Sequence, residues 1–494
     1  MLIAALLALV RPALGDDASV DQTLPRLGLS PAEPLVRSPA PSIPFGIAPA
    51  TSRELVLDFH GYLLLPGNVG LHKRQNAQGG GTTTFLHTPP LIPQDLRQFQ
   101  YTGVVPTPWM QLNFTYGNSI VAATAILAAT DATDAAGYYN PAGQLGVNDA
   151  FIAVNLTPTF HFPFEVKAGA LTGRYGAMGA YDAGRYGTPL IARTNSIGET
   201  ATLGFKAGDL TFVVEEGFGG QLAHPPIGLV SAGWNDFAFT NVGASFVAHL
   251  HAGVSLADLG QLGLHYLYAW TQDDQVSGAN IANGHIGIAG ADAHLTLGRL
   301  GHLYLGAVHT SAKTAAGVSG IIEVMNARGG PELISNYLGP NSNGNGSLTT
   351  FGIQYDLSLA RFLYGALFQG NSTDVLISLF GVTTKVSSDD PAYDGISKMK
   401  GGVELTYNAL SWVGFSGRVD HVRQDDNDSE KSFTVISPRL LLHTGWQSRD
   451  EFALQYSHFN YGSRVVARTG YPPVDDPTAS PDENVVSLSG RFWW

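Results

Sequence analysis

The sequence predicts an all-β fold, a transmembrane antiparallel β-barrel of about 18 strands (about 16 is the alternative), with short periplasmic turns and long outer loops. Three observations predict it. The chain ends on VVSLSGRFWW, where Val486, Leu488, Phe492 and Trp494 share one side while Ser487, Ser489 and Arg491 share the other. The same period-two alternation, rich in aromatics, recurs from residue 54 onward, which marks strands with one apolar and one wet face. The connectors between these segments alternate between tight and long, as membrane barrels require.

The first residues, MLIAALLALVRPALG, read as a signal peptide over 1–15. Leu2 to Val10 form its apolar core, and Ala13 and Gly15 are the small residues of a cleavage site. No Lys or Arg precedes that core, which points to a start further upstream. Residues 16–53 carry Pro25, Pro31, Pro34, Pro39, Pro41, Pro44 and Pro49 without periodicity, the composition of an extended periplasmic linker.

The barrel then occupies 54–494. Strands are expected near 54–65, 108–116, 119–130, 148–156, 163–172, 197–206, 209–218, 241–256, 259–271 and 285–297. The remainder are expected near 301–311, 348–358, 361–370, 398–409, 411–423, 431–444, 450–461 and 484–494. Alternation is clearest in three of them. Phe351, Ile353, Tyr355 and Leu357 oppose Thr350, Gly352, Gln354 and Asp356. Met399, Val403, Leu405 and Tyr407 oppose Lys400, Gly402, Glu404, Thr406 and Asn408. Leu262, Leu264, Tyr266, Tyr268 and Trp270 oppose Gly263 and His265. Tight turns fall at Gly117–Asn118, Ala207–Gly208, Ala257–Asp258, Arg299–Leu300 and Leu359–Ala360; long polar loops fall at 66–107, 312–347 and 462–483. A soluble propeller would repeat a motif every forty to fifty residues or so, and no such repeat is present.

Composition removes other classes. A net charge of −13 argues against a nucleic-acid partner, which needs a basic face. With no cysteine, disulfides and thiolate metal sites are impossible. After the N-terminus there is no apolar run long enough for a membrane helix. A closed barrel satisfies its backbone in lipid without one.

Eighteen strands leave room for an aqueous channel. Strand parity gives lumen-wall candidates of both signs: Asp58, His60, Glu165, Lys167, Lys400, Glu404, Arg418, Asp420, Glu451 and Arg491. The third outer loop, about 172–194, is the candidate constriction. It carries Arg174, Tyr175, Tyr181, Asp182, Arg185, Tyr186 and Arg193, and repeats Gly-Arg-Tyr-Gly. Arginine forks suit carboxylate or phosphate, and tyrosine faces suit sugar rings. A loop folded into the pore sets size and selectivity through such groups.

These stretches resemble bacterial outer-membrane porins of the substrate-selective kind. LVLDFHGYLLL resembles the opening strand of maltoporin-like sugar porins. VKAGALTGRYG, followed by LIARTNSIGETATLGF, is similar to the third-loop region of phosphate-selective porins. Each resemblance covers about a tenth of the chain. The C-terminal aromatic resembles the signal that the barrel-assembly machinery reads. The resemblance implies passive diffusion of small hydrophilic solutes, sugars or small anions, through a barrel set in outer-membrane lipids, and a possible homotrimer. The third loop lacks a dense basic ladder, and no continuous aromatic track runs along the strands, so the solute is left open.

Two other functions fit the class: a structural or adhesive surface barrel closed by its loops, and a transporter of apolar solutes. The latter would need an N-terminal helical hatch, which the proline-rich start does not offer. No catalytic residues, cofactor or metal are expected. His249 and His251 share a strand face, with His294, His302 and His309 on neighbouring strands, but no metal site is assigned to them. The acidic run QDDNDSE over 424–430 lacks the glycine and spacing of an EF-hand and reads as a solvated loop.

Overall fold

The structure, a computed structural model, describes residues 55–72, 109–130, 144–175, 180–181, 186–187, 191–222, 244–256, 259–272, 284–318, 321–324, 338–339, 341–365, 374–423, 425, 427–443, 451–462 and 482–493. The expected signal peptide and linker lie outside these residues.

Eighteen strands build the wall. They are β1 (Val56–His72), β2 (Trp109–Gly117), β3 (Val121–Thr130), β4 (Gln144–Asn155), β5 (Phe164–Tyr175) and β6 (Ala192–Ala207). Then come β7 (Leu210–Leu222), β8 (Ala244–Leu256), β9 (Gly260–Gln272), β10 (His285–Thr296), β11 (His302–Lys313) and β12 (Gly346–Ser358). The last six are β13 (Asp374–Ser388), β14 (Ser397–Leu410), β15 (Val413–Arg423), β16 (Ser432–Leu442), β17 (Glu451–Tyr461) and β18 (Asp482–Trp493). Every strand pairs antiparallel with its neighbours in sequence. The last then pairs with the first, from Tyr62↔Trp493 to His72↔Asn484, so the ladder returns on itself and leaves no open edge.

The alternation read from the sequence sets the two faces. Leu57, Phe114, Ile152, Tyr266, Phe351, Leu405, Phe415, Leu454 and Leu488 are all exposed on the outside, forming a band suited only to lipid. Most of the described inward residues between them are buried, Asp58 near the start of β1 being exposed. The chain is a membrane-spanning barrel of the bacterial outer-membrane type.

The connectors also alternate. At the end with short turns, Asn118 Oδ1 accepts from the backbone N–H of Ile120 and of Val121 at 2.9 and 3.0 Å. Gly208 turns the β6–β7 hairpin at φ 62°, which a residue with a Cβ rarely adopts.

One expected strand is displaced. Residues Leu359–Tyr364, read as a tight turn at Leu359–Ala360 and then the start of a strand over 361–370, form a short helix. Ser358 caps it by accepting from Arg361 N at 3.1 Å, and Asp374 accepts from Ala360 N at 2.8 Å. The strand that belongs there is β13, further along the chain.

The long connection after β11 is not simply a polar loop. Its segments 315–318 and 321–324 turn inward, and Val318, Ile321 and Ile322 are buried. Ile322–Val324 pairs with Ala192–Thr194 at the start of β6. Together with Tyr175, Ile191 and Leu338, these residues pack against inward Val247, Leu267, Ile288, Val308, Leu348 and Val386 of β8–β13. A second apolar group lies inward on β15–β18: Val422, Phe433, Val435, Phe459, Tyr461 and Val485. By register both groups occupy the half of the barrel nearer the long loops. The half nearer the short turns carries buried polar and charged side chains between apolar ones such as Phe151, Leu376 and Leu441.

Candidate functional site

The buried polar tier, which runs from the turn end past mid-barrel to Lys400 on β14, is the candidate site. It has two walls of different chemistry.

On β5–β12 the wall is built from imidazoles and carboxylates. Glu165 and Lys167, two apart on β5 and so on one face, pair at 3.1 Å. Register sets Glu215 of β7 beside Thr202 of β6 and His251 of β8. Thr202 Oγ1 donates to Glu215 at 3.1 Å, and Glu215 meets His249 Nε2 at 3.3 Å. His249 Nδ1 in turn meets the Tyr175 hydroxyl at 3.0 Å. Next to this chain, His251 and His265 face each other across β8 and β9, with Nδ1 atoms 3.1 Å apart. His265 Nε2 bonds Asp292 at 2.5 Å. Further round, His294 stacks flat on Tyr304 at 4.3 Å and approaches His302 at 3.2 Å.

On β13–β17 the wall is an ion cluster. Arg418 grips Asp420 with two N–H donors, at 2.6 and 2.8 Å. Glu404 takes Arg439 at 3.2 Å and lies 3.6 Å from Arg418, and Ser416 Oγ donates to it at 2.8 Å. The Arg418 guanidinium also lies over the Phe380 ring, 5.0 Å from its centroid. Arg418 and Lys400 are each only 1% exposed, so these charges live on their partners rather than on bulk water.

Glycines make space for the rings. A Cβ on Gly217 would stand 2.2 Å from His249 Cε1, and one on Gly402 would stand 2.5 Å from Phe380 Cζ. On Gly263 it would be 2.5 Å from Asp292 Oδ1 and 2.9 Å from His265 Nε2.

The sequence-derived wall residues sort as follows. Glu165, Glu404, Arg418, Asp420, Lys400 and Glu451 are buried on the inner face, and Lys167 joins them through Glu165. Asp58 sits exposed near the start of β1, opposite Thr115. His60 lies at a register position opposite Asn113, and Arg491 opposite Glu451.

Of the constriction candidates, Tyr175 is buried in the interior at the end of β5. Arg174 and Arg193 belong to the wall, as Cα partners on β5 and β6 rather than in a free loop. Tyr181 and Tyr186 pair in a two-residue hairpin, and Asp182 and Arg185 lie outside the described residues. Sequence reading missed Glu215, Asp292, Arg439 and Phe380. Arg439 was within reach, because it shares inward parity with Ser437 on a strand already recognised. Glu215 and Asp292 acquire their meaning only from register.

The described residues of the acidic stretch, Asp425 and 427–430, are held by short-range contacts. Asp425 accepts from Asn427 N at 3.0 Å and pairs with Lys431 at 3.2 Å, while Asp428 caps Glu430 N at 3.1 Å.

No protein-family profile matches the chain, and no curated protein matches it. Among solved structures it is similar to OccD3 (OpdP) of Pseudomonas aeruginosa, at 8% identity and a TM-score of 0.41 over 94% of this chain and 95% of that one. It is also similar to OmpT, an outer membrane protein of Vibrio cholerae (10%, 0.37, covering 90% and 100%). A third likeness is to the outer membrane channel DcaP of Acinetobacter baumannii (9%, 0.37, covering 90% and 99%). The barrel assignment rests on the closed pairing and the apolar exterior, not on these likenesses.

Proposed function

We propose that the chain is an outer-membrane channel for passive diffusion of small hydrophilic solutes, sugars or small anions. One observation carries the reading: a closed ring, apolar outside, encloses a tier bearing Lys167, Lys400, Arg418 and Arg439 beside Glu165, Glu215, Glu404 and Asp420. A wall of both signs suits polar solutes. In this reading Arg174, Arg185 and Arg193 set the field of the constriction and Asp182 opposes it. Tyr175, Tyr181 and Tyr186 form its contact surface. Residues 1–15 act as the export signal and 16–53 as the periplasmic linker, the C-terminal strand addresses the assembly machinery, and the chain assembles as a homotrimer.

The test is single-channel current from the refolded chain in a planar bilayer under a salt gradient. Steady conductance is expected, with a reversal potential that moves toward cation preference in R174A/R185A. An unchanged reversal potential would sink the constriction assignment. Silence from a verified barrel would overturn the channel itself. The inward apolar segments 315–318 and 321–324 favour a second reading, a barrel closed by its own loops. That reading expects the silent result.

A further inference from the structure

Four histidines of the polar tier stand in two close pairs. Register puts His251 directly opposite His265, and their Nδ1 atoms are 3.1 Å apart. One step round the wall, His294 Nε2 is 3.2 Å from His302 Nδ1. Both spacings are those of an imidazole–imidazole hydrogen bond, and a bound ion would take the place of the shared proton at nearly the same distance. Ligands bound at about 2.0–2.1 Å and roughly 100° apart lie about 3.2 Å from each other.

The first pair is also set up electronically. Asp292 Oδ1 holds His265 Nε2, and an imidazole that donates from one nitrogen offers the other as a lone pair. A carboxylate behind a ligating histidine fixes its tautomer and raises its basicity. Gly263 makes this arrangement possible, since a Cβ there would collide with both Asp292 and His265. Among the described residues no group of three or more such ligands converges. Each pair therefore offers two nitrogens, with water completing the shell. Such open coordination binds loosely, as an ion in transit requires.

We propose that the pairs His251/His265 and His294/His302 each bind a divalent first-row transition-metal ion. Imidazole donors suit copper(II), nickel(II) and zinc(II), and disfavour calcium and magnesium. The inference concerns binding alone and stands whether or not the barrel conducts.

The probe is copper(II), titrated into the refolded full chain in detergent and read by equilibrium dialysis and by nitrogen hyperfine structure in electron paramagnetic resonance. Each pair should take up one equivalent with nitrogen coordination. H251A should lose one equivalent, H294A the other, and the double variant both. H421A, which alters a histidine of β15 outside both pairs, should lose neither. D292N should weaken the first site by about 10- to 100-fold without changing the stoichiometry. Heat-modifiable migration on gels verifies that each variant is a folded barrel. Copper without nitrogen coordination, or stoichiometry unchanged in folded H251A/H294A, would overturn the proposal.

Discussion

Glu404→Gln removes one charge from a buried cluster while keeping its shape. Glu404 accepts from Arg439 at 3.2 Å and from Ser416 at 2.8 Å, and balances Arg418 at 3.6 Å. Arg418 keeps its two bonds to Asp420, so the loss falls mainly on Arg439. The Arg439 side chain is 3% exposed and is not rescued by bulk solvent. Breaking a buried ion pair by removing one partner costs about 3–5 kcal/mol. The amide still accepts one hydrogen bond, which places the expectation near the lower figure. Reversible urea unfolding of the barrel in lipid vesicles, followed by tryptophan fluorescence, measures it. Adding Arg439→Met to Glu404→Gln should recover much of the loss, because both members of the buried pair are then removed together. A shift within about 0.5 kcal/mol, the range of inert surface substitutions, would refute the claim that these charges depend on each other.

Gly263→Ala should cost about 1–3 kcal/mol by overpacking, since its Cβ would sit 2.5 Å from Asp292 Oδ1; an unchanged unfolding midpoint would show that the wall yields there. Tyr175→Phe removes a hydroxyl 3.0 Å from His249 while leaving the ring in place. It should cost about 0.5–1.5 kcal/mol in the same assay. Leu405→Arg puts a charge on the lipid face, where Leu405 is exposed, and should cost about 2–4 kcal/mol if it lies near the bilayer midplane. The same change at buried Thr406, its inward neighbour, should not follow the thickness of the host lipid. If both variants respond alike to lipid thickness, the face assignment fails.

The wall was legible because membrane and lumen impose opposite demands on alternate residues. That is why Glu404, Arg418 and Asp420 were found by parity alone. Strand β13 escaped because its inner face carries Leu376, Phe380, Val382 and Val386 as well as Ser378 and Thr384. With apolar residues on both sides, the period-two contrast vanishes. The neighbouring RFLYGALF run then looked more strand-like, although a Ser358 cap and an Asp374 acceptor make its start helical. The inward turn of 315–318 and 321–324 was hidden for a related reason. Its apolar residues, Val318, Ile321 and Ile322 among them, sit inside a long connector that otherwise reads as polar over 312–347, and only the facing apolar patches of β8–β13 give them a destination. The histidine pairs needed register, which local sequence does not encode. His251 and His265 are 14 residues apart, yet a slip of one position would send one of them to the lipid.

The glycines beneath the interior rings bear on how such a wall changes over generations or in the hands of an engineer. Gly217 lies under His249 and Gly402 under Phe380, and Gly290 would press a Cβ to within 2.8 Å of Ile191 Cδ1. Each glycine and the side chain above it occupy one volume contributed by two separate stretches of chain. Neither member is free to grow alone. A larger residue at the glycine becomes tolerable only when its partner shrinks, so the interior is editable by matched exchanges across neighbouring segments. Substitutions taken one position at a time would find these places closed, whereas paired exchanges would reshape the passage and leave the ring of strands intact.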